Sequence, residues 1–284
     1  MTAPDGDARL DEKLARLDAR LRELDTVLVA FSGGADSAFL LAAATRALGP
    51  ERVAAATAVS ASLPSTELAD ARAFAAELGL RHVTPGTDEM SRDGYRANAG
   101  DRCYFCKAEL LDVLTPIARE LGCRAVATGT NADDAIAGFR PGIRAAAERQ
   151  AVTPLLDAEL TKSEIRAASR RWGLRTWDKP AAACLSSRIA YGIEVTPARL
   201  ARVEQAERAL RDALQQAGLP VRNLRVRDLG DRARVEVDAE HAAAVGDLPA
   251  VRTALAGFGA VEIDPRGFRS GAMNELLADP ERWR

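Results

Sequence analysis

Histidine is nearly missing from this chain: only His82 and His241 occur among 284 residues. Neither stands at ligand spacing from a cysteine pair, so the sequence does not predict a four-ligand zinc site. Cysteine is rare as well, with four residues. In a cytosolic chain of this size, so few thiols indicate catalysis or metal binding rather than a disulfide framework.

Long apolar runs and an excess of one charge are also lacking. The longest hydrophobic stretches are far too short to cross a bilayer, and the polar segment Met1–Asp7 has no signal-peptide core. The chain carries 39 basic and 41 acidic residues, so its charge indicates neither a nucleic-acid partner nor a membrane partner. We therefore expect a cytoplasmic protein.

The hydrophobic content of 47% is enough for a sizeable core, and 284 residues suit one large domain or two modest ones. Strand-like and helical runs alternate between residues 27 and 128, which predicts an α/β fold with a doubly wound parallel sheet. The composition shifts near residue 196. Beyond it, the sequence predicts a smaller α+β domain. This domain contains a helix, two strands whose alternating polarity is typical of half-buried strands, a helix near 240–256 and a strand at 260–263.

The predicted division of the chain has three parts. An amphipathic helix, with leucines at helical spacing over residues 8–24, occupies 1–25. The sheet domain covers 26–195, and the C-terminal α+β domain covers 196–284.

A glycine turn between an apolar strand and a helix is the most informative motif. The stretch Ser32-Gly33-Gly34-Ala35-Asp36-Ser37 follows Val27–Phe31 and leads into an alanine-rich helix. Backbone N–H groups and a positive helix end converge there, which predicts an anion site, and glycine lets the backbone approach a phosphate. Ser32 and Ser37 add hydroxyl donors, and Asp36 is placed to orient Mg²⁺. A plain βα turn of small residues is the alternative.

This stretch resembles the SGGxDS loop of the N-type ATP pyrophosphatases. No lysine follows it, so it is not the G-x-x-x-x-G-K-[ST] phosphate loop. The resemblance implies an adenine nucleotide alpha hydrolase-like fold and an enzyme that cleaves ATP between the α and β phosphates. It also implies ATP contacts by Ser32, Gly33, Gly34, Asp36 and Ser37.

A second polar loop follows the strand 125–128. It contains Gly129, Asn131, Asp133 and Asp134, close to the expected nucleotide. A carboxylate pair can hold Mg²⁺ or cap the next helix, and the preceding glycine motif favours the nucleotide site.

Two of the cysteines, Cys103 and Cys106, form a C-x-x-C turn beginning a helix predicted over 106–121. Two thiols at this spacing bind one metal or cluster, or form a redox pair, and the helix start beside Arg102 and Lys107 favours thiolates. Two packed structural thiols are the alternative.

Cys184 lies in a small-residue loop, four residues before Arg188, whose guanidinium can support a thiolate or a phosphate. If this loop meets the C-x-x-C turn, the three thiols can bind a [4Fe–4S] cluster with one iron left open. Cys123 stands at a helix-to-strand junction, and we interpret it as structural.

Five segments taken together resemble the LarE family over roughly residues 8–265: SGGADS, GDRCYFCK, GTNADD, PLLDAELTKSEIR and WDKPAAACLSSRIAYG. The resemblance implies an ATP-dependent sulfur transferase of nickel-pincer cofactor biosynthesis. Such an enzyme adenylates a carboxylate of pyridinium-3,5-biscarboxylic acid mononucleotide and converts it to a thiocarboxylate.

The resemblance leaves two sulfur sources. In single-cysteine members the residue matching Cys184 donates its own sulfur and becomes dehydroalanine. In members that also carry the C-x-x-C, three cysteines hold a [4Fe–4S] cluster, which Cys103, Cys106 and Cys184 match. We expect the cluster route here. The cellular sulfide source is not predicted.

The resemblance further implies a phosphate site for the substrate, matched best by Arg225 and Arg227 with Arg188. The two-residue spacing puts Arg225 and Arg227 on one face of a strand, and a solvated basic face is the alternative. Family members form trimers or hexamers, so we expect a homo-oligomer.

Other functions also fit the glycine motif. A tRNA thiolase is disfavoured because the chain lacks a basic, aromatic-rich face, and an amidotransferase because no separate glutaminase domain is present. A non-catalytic nucleotide or Fe–S binding protein is disfavoured by the intact motif with Asp36, Asp133 and Asp134.

Overall fold

The computed structural model describes residues 3–136, 141–180 and 183–277. Ala181 and Ala182, two of the small residues before Cys184, lie outside this part. So do both ends of the predicted division, residues 1–2 and 278–284.

Four parallel strands form the first sheet, in the order β3-β2-β1-β4. They are β1 (Val27–Ala30), β2 (Val53–Ala56), β3 (Arg81–Val83) and β4 (Ala125–Thr128). Alternate residues of β1 enter different cores, with Val27 and Val29 on one side and Leu28 on the other. The sheet is therefore covered on both faces, and the predicted α/β class is confirmed.

Nine helices are described between residues 3 and 171. They are α1 (Ala3–Leu24), α2 (Ala35–Leu48), α3 (Ser65–Glu77), α4 (Asp93–Arg96), α5 (Arg102–Glu120), α6 (Ala132–Ile136), α7 (Pro141–Glu148), α8 (Pro154–Asp157) and α9 (Lys162–Arg171). The leucine face of α1 packs into the same core as α2, with Leu17 and Leu21 fully buried. No helix in the described ranges combines the length and apolarity that crossing a bilayer requires.

The strand order decides where ligands can bind. The chain runs from β1 outward to β2 and β3, then returns to place β4 on the other side of β1. The loops that follow β1 and β4 therefore lie side by side at the carboxyl edge, at the point where the strand order reverses. Open parallel sheets bind their ligands at this point.

A second, three-stranded sheet follows in the order β5-β6-β7. Its elements are α10 (Pro197–Gln216), β5 (Leu224–Asp228), β6 (Arg232–Val237), α11 (Ala242–Gly246), α12 (Pro249–Ala254) and β7 (Ala260–Ile263). The single helix expected near 240–256 is wrong. The chain breaks into α11 and α12 because Pro249 lacks an N–H and starts a new helix instead.

The second sheet does not have a core of its own. Its hydrophobic cluster also includes Tyr95, Leu185, Ile189 and Val195, which come from the region predicted as the sheet domain. The half-buried pattern expected for β5 is wrong as well, since all five of its residues are buried. The boundary at residues 195 and 196 stays a prediction.

Candidate active site

Two serines stabilise the loop after β1 by hydrogen bonds. The hydroxyls of Ser32 and Ser37 lie 3.1 Å apart, and Ser37 Oγ donates to the carbonyl of Gly34 at 3.1 Å. Helix α2 begins directly afterwards, and its N-cap Gly34 supplies no side-chain cap. The first N–H groups of α2 are thus left for a ligand, and with the helix dipole they favour an anion.

Two glycines make this geometry possible. Gly33 has φ = +75°, in the left-handed region that side chains disfavour. Gly129, in the loop after β4, lies against α2: a Cβ there would stand 3.0 Å from the backbone nitrogen of Ser37 and 3.1 Å from its Cα. Close approach of the two loops therefore requires glycine at residue 129.

A cavity of about 330 Å³ opens beside these loops, and we call it the nucleotide cavity. Its lining includes Ser32, Gly34, Asp36, Ser37, Thr57, Lys107, Gly129, Thr130 and Asp134. The structure therefore brings together six of the nine predicted ATP residues. Gly33, Asn131 and Asp133 are not part of this lining.

Asn131 and Asp133 act on neighbouring backbone instead. Asn131 is fully buried, and its Oδ1 accepts a hydrogen bond from the N–H of Asp134 at 3.1 Å. Asp133 Oδ2 accepts from the N–H of Lys162, the first residue of α9, at 2.8 Å. Asn131 thus positions Asp134. Asp133 bonds the start of α9, whereas the alternative to a nucleotide contact was a cap on the next helix, which is α6.

Asp36 has the properties of a cation ligand. Its Oδ1 is buried and has no hydrogen-bond partner among the described residues, and its Oδ2 lies 3.6 Å from Lys162 Nζ. Burial raises the pKa of Asp36, with Lys162 opposing the rise and Asp134 adding to it. Mg²⁺ takes one or two carboxylates together with phosphates and water, so Asp36 with Asp134 fits this ion.

A second cavity, of about 410 Å³, adjoins the first, and we call it the cysteine cavity. Lys107, Thr130 and Asp134 line both cavities. Lys107 was not among the predicted site residues, although its place directly after Cys106 was a usable signal. Burial lowers the pKa of the Lys107 ammonium, as expected for an amine held away from water.

The predicted cysteines gather around this second cavity. Cys103 lines it, and Cys184 lies on the loop whose residues Ala183 and Ser187 line it. Cys106 packs against the core of the second sheet. Cys123 packs against the first sheet, in agreement with its structural interpretation.

The expectation that the C-x-x-C turn favours thiolates is wrong for Cys106. Burial raises the pKa of this thiol, and Cys184, Glu89 and Cys103 raise it further, while Lys107 opposes them weakly. The helix begins at Arg102, so Cys106 lies one turn inside it rather than at its start.

The three-cysteine cluster was tested against the geometry. In residues 3–136, 141–180 and 183–277, no three His, Cys, Asp or Glu side chains converge closely enough to hold a single metal ion. The thiolates that bind a four-iron cluster lie farther apart than those that bind one ion. Cys103 and Cys184 both lie near enough to Cys106 to raise the pKa of its thiol. The donor set suits such a cluster, but the [4Fe–4S] ligands stay a prediction.

A hydrogen-bonded chain runs from Cys184 into the protein. Ser186 Oγ lies 3.2 Å from Cys184 Sγ and 2.8 Å from the hydroxyl of Tyr95. The Tyr95 hydroxyl also bonds the side chain of Ser62, which donates to Glu89 at 2.6 Å. Ser186, Tyr95, Ser62 and Glu89 are all buried, so this chain fixes the orientation of the Cys184 thiol through Ser186.

Two arginines clamp the Cys184 loop. Arg102 donates from Nη1 to the carbonyl of Ser186 at 2.9 Å, joining this loop to the C-x-x-C helix. Arg188 is 3% exposed, donates to the carbonyls of Ala183 and Cys184, and pairs with Glu207 at 2.9 Å. Arg188 does not line the cysteine cavity, so its phosphate role stays a prediction beside this positioning role.

Arg225 and Arg227 both line the cysteine cavity, and only 8% and 5% of their surfaces are exposed. The alternative of a solvated basic face is therefore wrong. Arg227 pairs with Glu236 at 2.6 Å, and Arg225 stacks over Phe268 at 5.1 Å. Burial lowers the pKa of Arg225 to about 10, helped by the charge of Arg188. An anion in the cavity would offset this crowding of positive charge.

Comparisons with known proteins agree with this geometry. A family model described as NAD synthase matches residues 12–96. The uncharacterized protein slr1717 of Synechocystis is 42% identical, over 94% of this chain and 99% of its own length. The pyridinium-3,5-bisthiocarboxylic acid mononucleotide synthase of Lactiplantibacillus plantarum is 36% identical, over 95% of this chain and 96% of its own.

These relatives align along nearly their whole length, so the aligned region includes the segments that form both sheets. The NAD synthase match covers the glycine loop after β1 and ends at Arg96, before the C-x-x-C turn. The resemblance carried by the five motifs is thereby confirmed. The chain belongs to the LarE family, that of the pyridinium-3,5-bisthiocarboxylic acid mononucleotide synthase.

Proposed function

We propose that this chain is an ATP-dependent sulfur transferase for the nickel-pincer cofactor. Its substrate is pyridinium-3,5-biscarboxylic acid mononucleotide, one carboxylate of which it adenylates and converts to a thiocarboxylate, with AMP and pyrophosphate as the other products. The observation that carries the proposal is the shared wall of Lys107, Thr130 and Asp134 between the nucleotide cavity and the cysteine cavity.

In the first step the nucleotide cavity holds ATP. The N–H groups at the start of α2, with the hydroxyls of Ser32 and Ser37, bind the phosphates, and Asp36 and Asp134 would hold Mg²⁺. Mg²⁺ would neutralise the charge that develops on the pyrophosphate. The substrate carboxylate attacks the α phosphorus from the side of the cysteine cavity, so the bond to pyrophosphate breaks and an acyl adenylate forms.

In the second step sulfur replaces AMP. Adenylation turns the carboxylate oxygen into a good leaving group, and the cysteine cavity supplies sulfur at the activated carbonyl. Arg225 and Arg227 bind the phosphate of the substrate, which keeps its pyridinium ring in the cysteine cavity. The hydrogen-bonded chain through Ser186 and Tyr95 orients Cys184 toward that carbonyl.

The sulfur source is proposed in two forms. Cys103, Cys106 and Cys184 would hold a [4Fe–4S] cluster, which would supply an additional sulfide at its open iron. Alternatively, Cys184 gives its own sulfur and becomes dehydroalanine, so the protein turns over once. Cys103 lines the cysteine cavity, and both Cys103 and Cys184 lie near enough to Cys106 to interact with it electrostatically, which favours the first form.

Pyrophosphate release tests the reaction. We expect release from ATP with the pyridinium substrate and none with tRNA. Release with tRNA alone would replace the proposal by a tRNA thiolase, and ATP binding without release would leave a nucleotide-binding protein.

Iron analysis tests the sulfur source. We expect the anaerobically purified protein to contain iron and sulfide, and Cys103→Ala to lose both while it still binds ATP. Cys123→Ala is the matched control, because Cys123 packs on the first sheet, and its iron content should not change. An iron-free protein whose Cys184 loses the mass of one sulfur after turnover would establish the sacrificial form.

Compartment and assembly complete the proposal. We propose that the protein acts in the cytoplasm, where its four cysteines stay reduced, and that it forms a trimer or hexamer. Mass photometry of the purified chain measures the assembly directly, and a monomer at working concentration would contradict it.

A further inference from the structure

One of the two histidines of the chain, His82, bonds a residue of the nucleotide cavity. His82 lies in β3, an outer strand of the first sheet, and its Nε2 lies 2.9 Å from the Oγ1 of Thr57. Thr57 follows β2, is buried and lines the nucleotide cavity. His82 is not part of this lining, so its effect on a bound nucleotide must pass through Thr57.

The Thr57 hydroxyl holds the residue that precedes the glycine loop. The pairing of β1 with β2 ends at Phe31, whose N–H donates to the carbonyl of Ala56 at 2.8 Å. Among the described residues, no backbone N–H donates to the carbonyl of Phe31. Instead, Thr57 Oγ1 donates to that carbonyl at 2.7 Å. The hydroxyl therefore satisfies a backbone acceptor at the point where the two strands stop pairing and the cavity begins.

The single proton of the Thr57 hydroxyl decides how His82 takes part. Because this proton is donated to the carbonyl of Phe31, the same oxygen can only accept from the imidazole. Nε2 of His82 must therefore carry a hydrogen and donate it. This N–H is present both in the neutral Nε2–H tautomer and in the imidazolium, so the bond does not depend on the charge of the ring.

Other contacts keep both partners of this bond in place. The His82 ring packs edge-on against Phe31, with the ring centroids 6.2 Å apart, and Phe31 packs against Phe74 at 5.6 Å. The N–H of Thr57 donates to the carbonyl of Val83 at 3.0 Å, which ties the end of β2 to β3. Since the two residues are ordered independently, the bond between their side chains forms with little further loss of entropy.

We propose that His82 is a positioning residue of the nucleotide site, which holds the Thr57 hydroxyl on the carbonyl of Phe31 and so fixes the start of the glycine loop. Phe31 directly precedes Ser32, whose N–H and hydroxyl lie 3.3 and 3.1 Å from Ser37 Oγ. A shift of the Phe31 carbonyl therefore moves the loop that binds the phosphates. The inference rests on the proposed binding of ATP in the nucleotide cavity.

Calorimetry of a non-hydrolysable ATP analogue with the full chain tests this role. His82→Leu removes the donor and should weaken binding by about five- to tenfold, the contribution of one hydrogen bond. In His82→Gln the amide nitrogen reaches as far along the side chain as Nε2, so this variant should recover nearly all of the affinity. The shorter amide of His82→Asn reaches only as far as Nδ1. This variant is the matched control and should bind as weakly as His82→Leu.

A double-mutant cycle separates positioning from a merely structural role. Thr57→Val removes the hydroxyl through which His82 acts, so adding His82→Leu to it should cause no further loss of affinity. Additive losses would overturn the proposal, as would equal affinities of the unaltered chain and His82→Leu. Urea titration shows which variants are folded. If His82→Leu does not fold, the comparison of His82→Gln with His82→Asn decides, and equal affinities of these two would overturn the proposal.

The unaltered chain separates this inference from the proposed function. If it does not bind the ATP analogue, the proposed function fails and the role of His82 with it. If it binds the analogue and the substitutions at His82 leave the affinity unchanged, only the role of His82 is overturned.

Discussion

The nucleotide cavity and the cysteine cavity share a wall, yet they are built in opposite ways. The first is lined by the loops that follow β1, β2 and β4 and by two residues of α5, and at the β1 and β4 loops its geometry depends on backbone and on glycine. The second joins α5, the Cys184 loop, β5 and residues 268–274, which are distant in sequence. The comparison shows that a local motif suffices for anion binding, whereas the sulfur site requires buried side chains that hold separate segments together.

Of the substitutions that separate the two cavities, the removal of the Asp36 carboxylate should reduce activity most. Asp36→Asn removes a buried charge that fits Mg²⁺, so pyrophosphate release should fall by about a hundredfold or more. An assay of pyrophosphate at fixed times after mixing measures the rate of release. Asp18→Asn, at an exposed ion pair of α1, is the control and should be fully active. Wild-type release by Asp36→Asn would mean that the first cavity does not activate ATP.

Gly129→Ala should come next, because it breaks the contact between the two loops. The new Cβ would stand 3.0 Å from the nitrogen of Ser37, which must move the start of α2. We expect ATP to bind about tenfold more weakly, by calorimetry, since the N–H groups no longer converge. At Gly86 a Cβ meets nothing within 4 Å, so Gly86→Ala should bind ATP normally. Unchanged affinity of both variants would show that the loops tolerate separation.

Tyr95→Phe tests the cysteine cavity while it leaves the nucleotide cavity intact. It removes the hydroxyl that links Ser186 to Ser62, so the free energy of unfolding should fall by about 1–3 kcal/mol. Thiocarboxylate formation should slow by about tenfold while pyrophosphate release continues, because only the second cavity is affected. Tyr104→Phe, which loses one exposed hydrogen bond to Glu148, is the matched control. Equal loss of both reaction steps would contradict separate roles for the two cavities.

The smallest effect concerns the two cysteines of the C-x-x-C turn. Burial raises the pKa of Cys106 well above its usual value of 9.0, so the reactive thiolate appears only at higher pH. Iodoacetamide should therefore modify the exposed Cys103 first. Cys106 should react at least about tenfold more slowly near pH 8, with the gap narrowing as the pH rises. Peptide mass spectrometry measures both rates in the apoprotein, and equal rates would refute the burial of Cys106.

The two cavities also differ in how much of each could be predicted from the sequence. The glycine loop and the four strands were predictable because period, turn and helix start are local properties. The clamp of Arg188 on Glu207 was not, since nothing nearby in sequence distinguishes a buried guanidinium from an exposed one. Arg225 and Arg227 were indicated by the family resemblance, and their spacing placed them on one face of a strand, but their burial depends on α10 and the C-terminal segment packing over β5. The break at Pro249, by contrast, is a local signal, since proline lacks the N–H that a continuous helix needs.

The wall formed by Lys107, Thr130 and Asp134 has a kinetic consequence. An acyl adenylate is prone to hydrolysis, and its lifetime in water competes with any slow second step. Two adjoining cavities would let the activated carbonyl meet sulfur without leaving the protein. In the proposed reaction, the coupling between ATP consumed and thiocarboxylate formed is thus set by how well this wall excludes solvent.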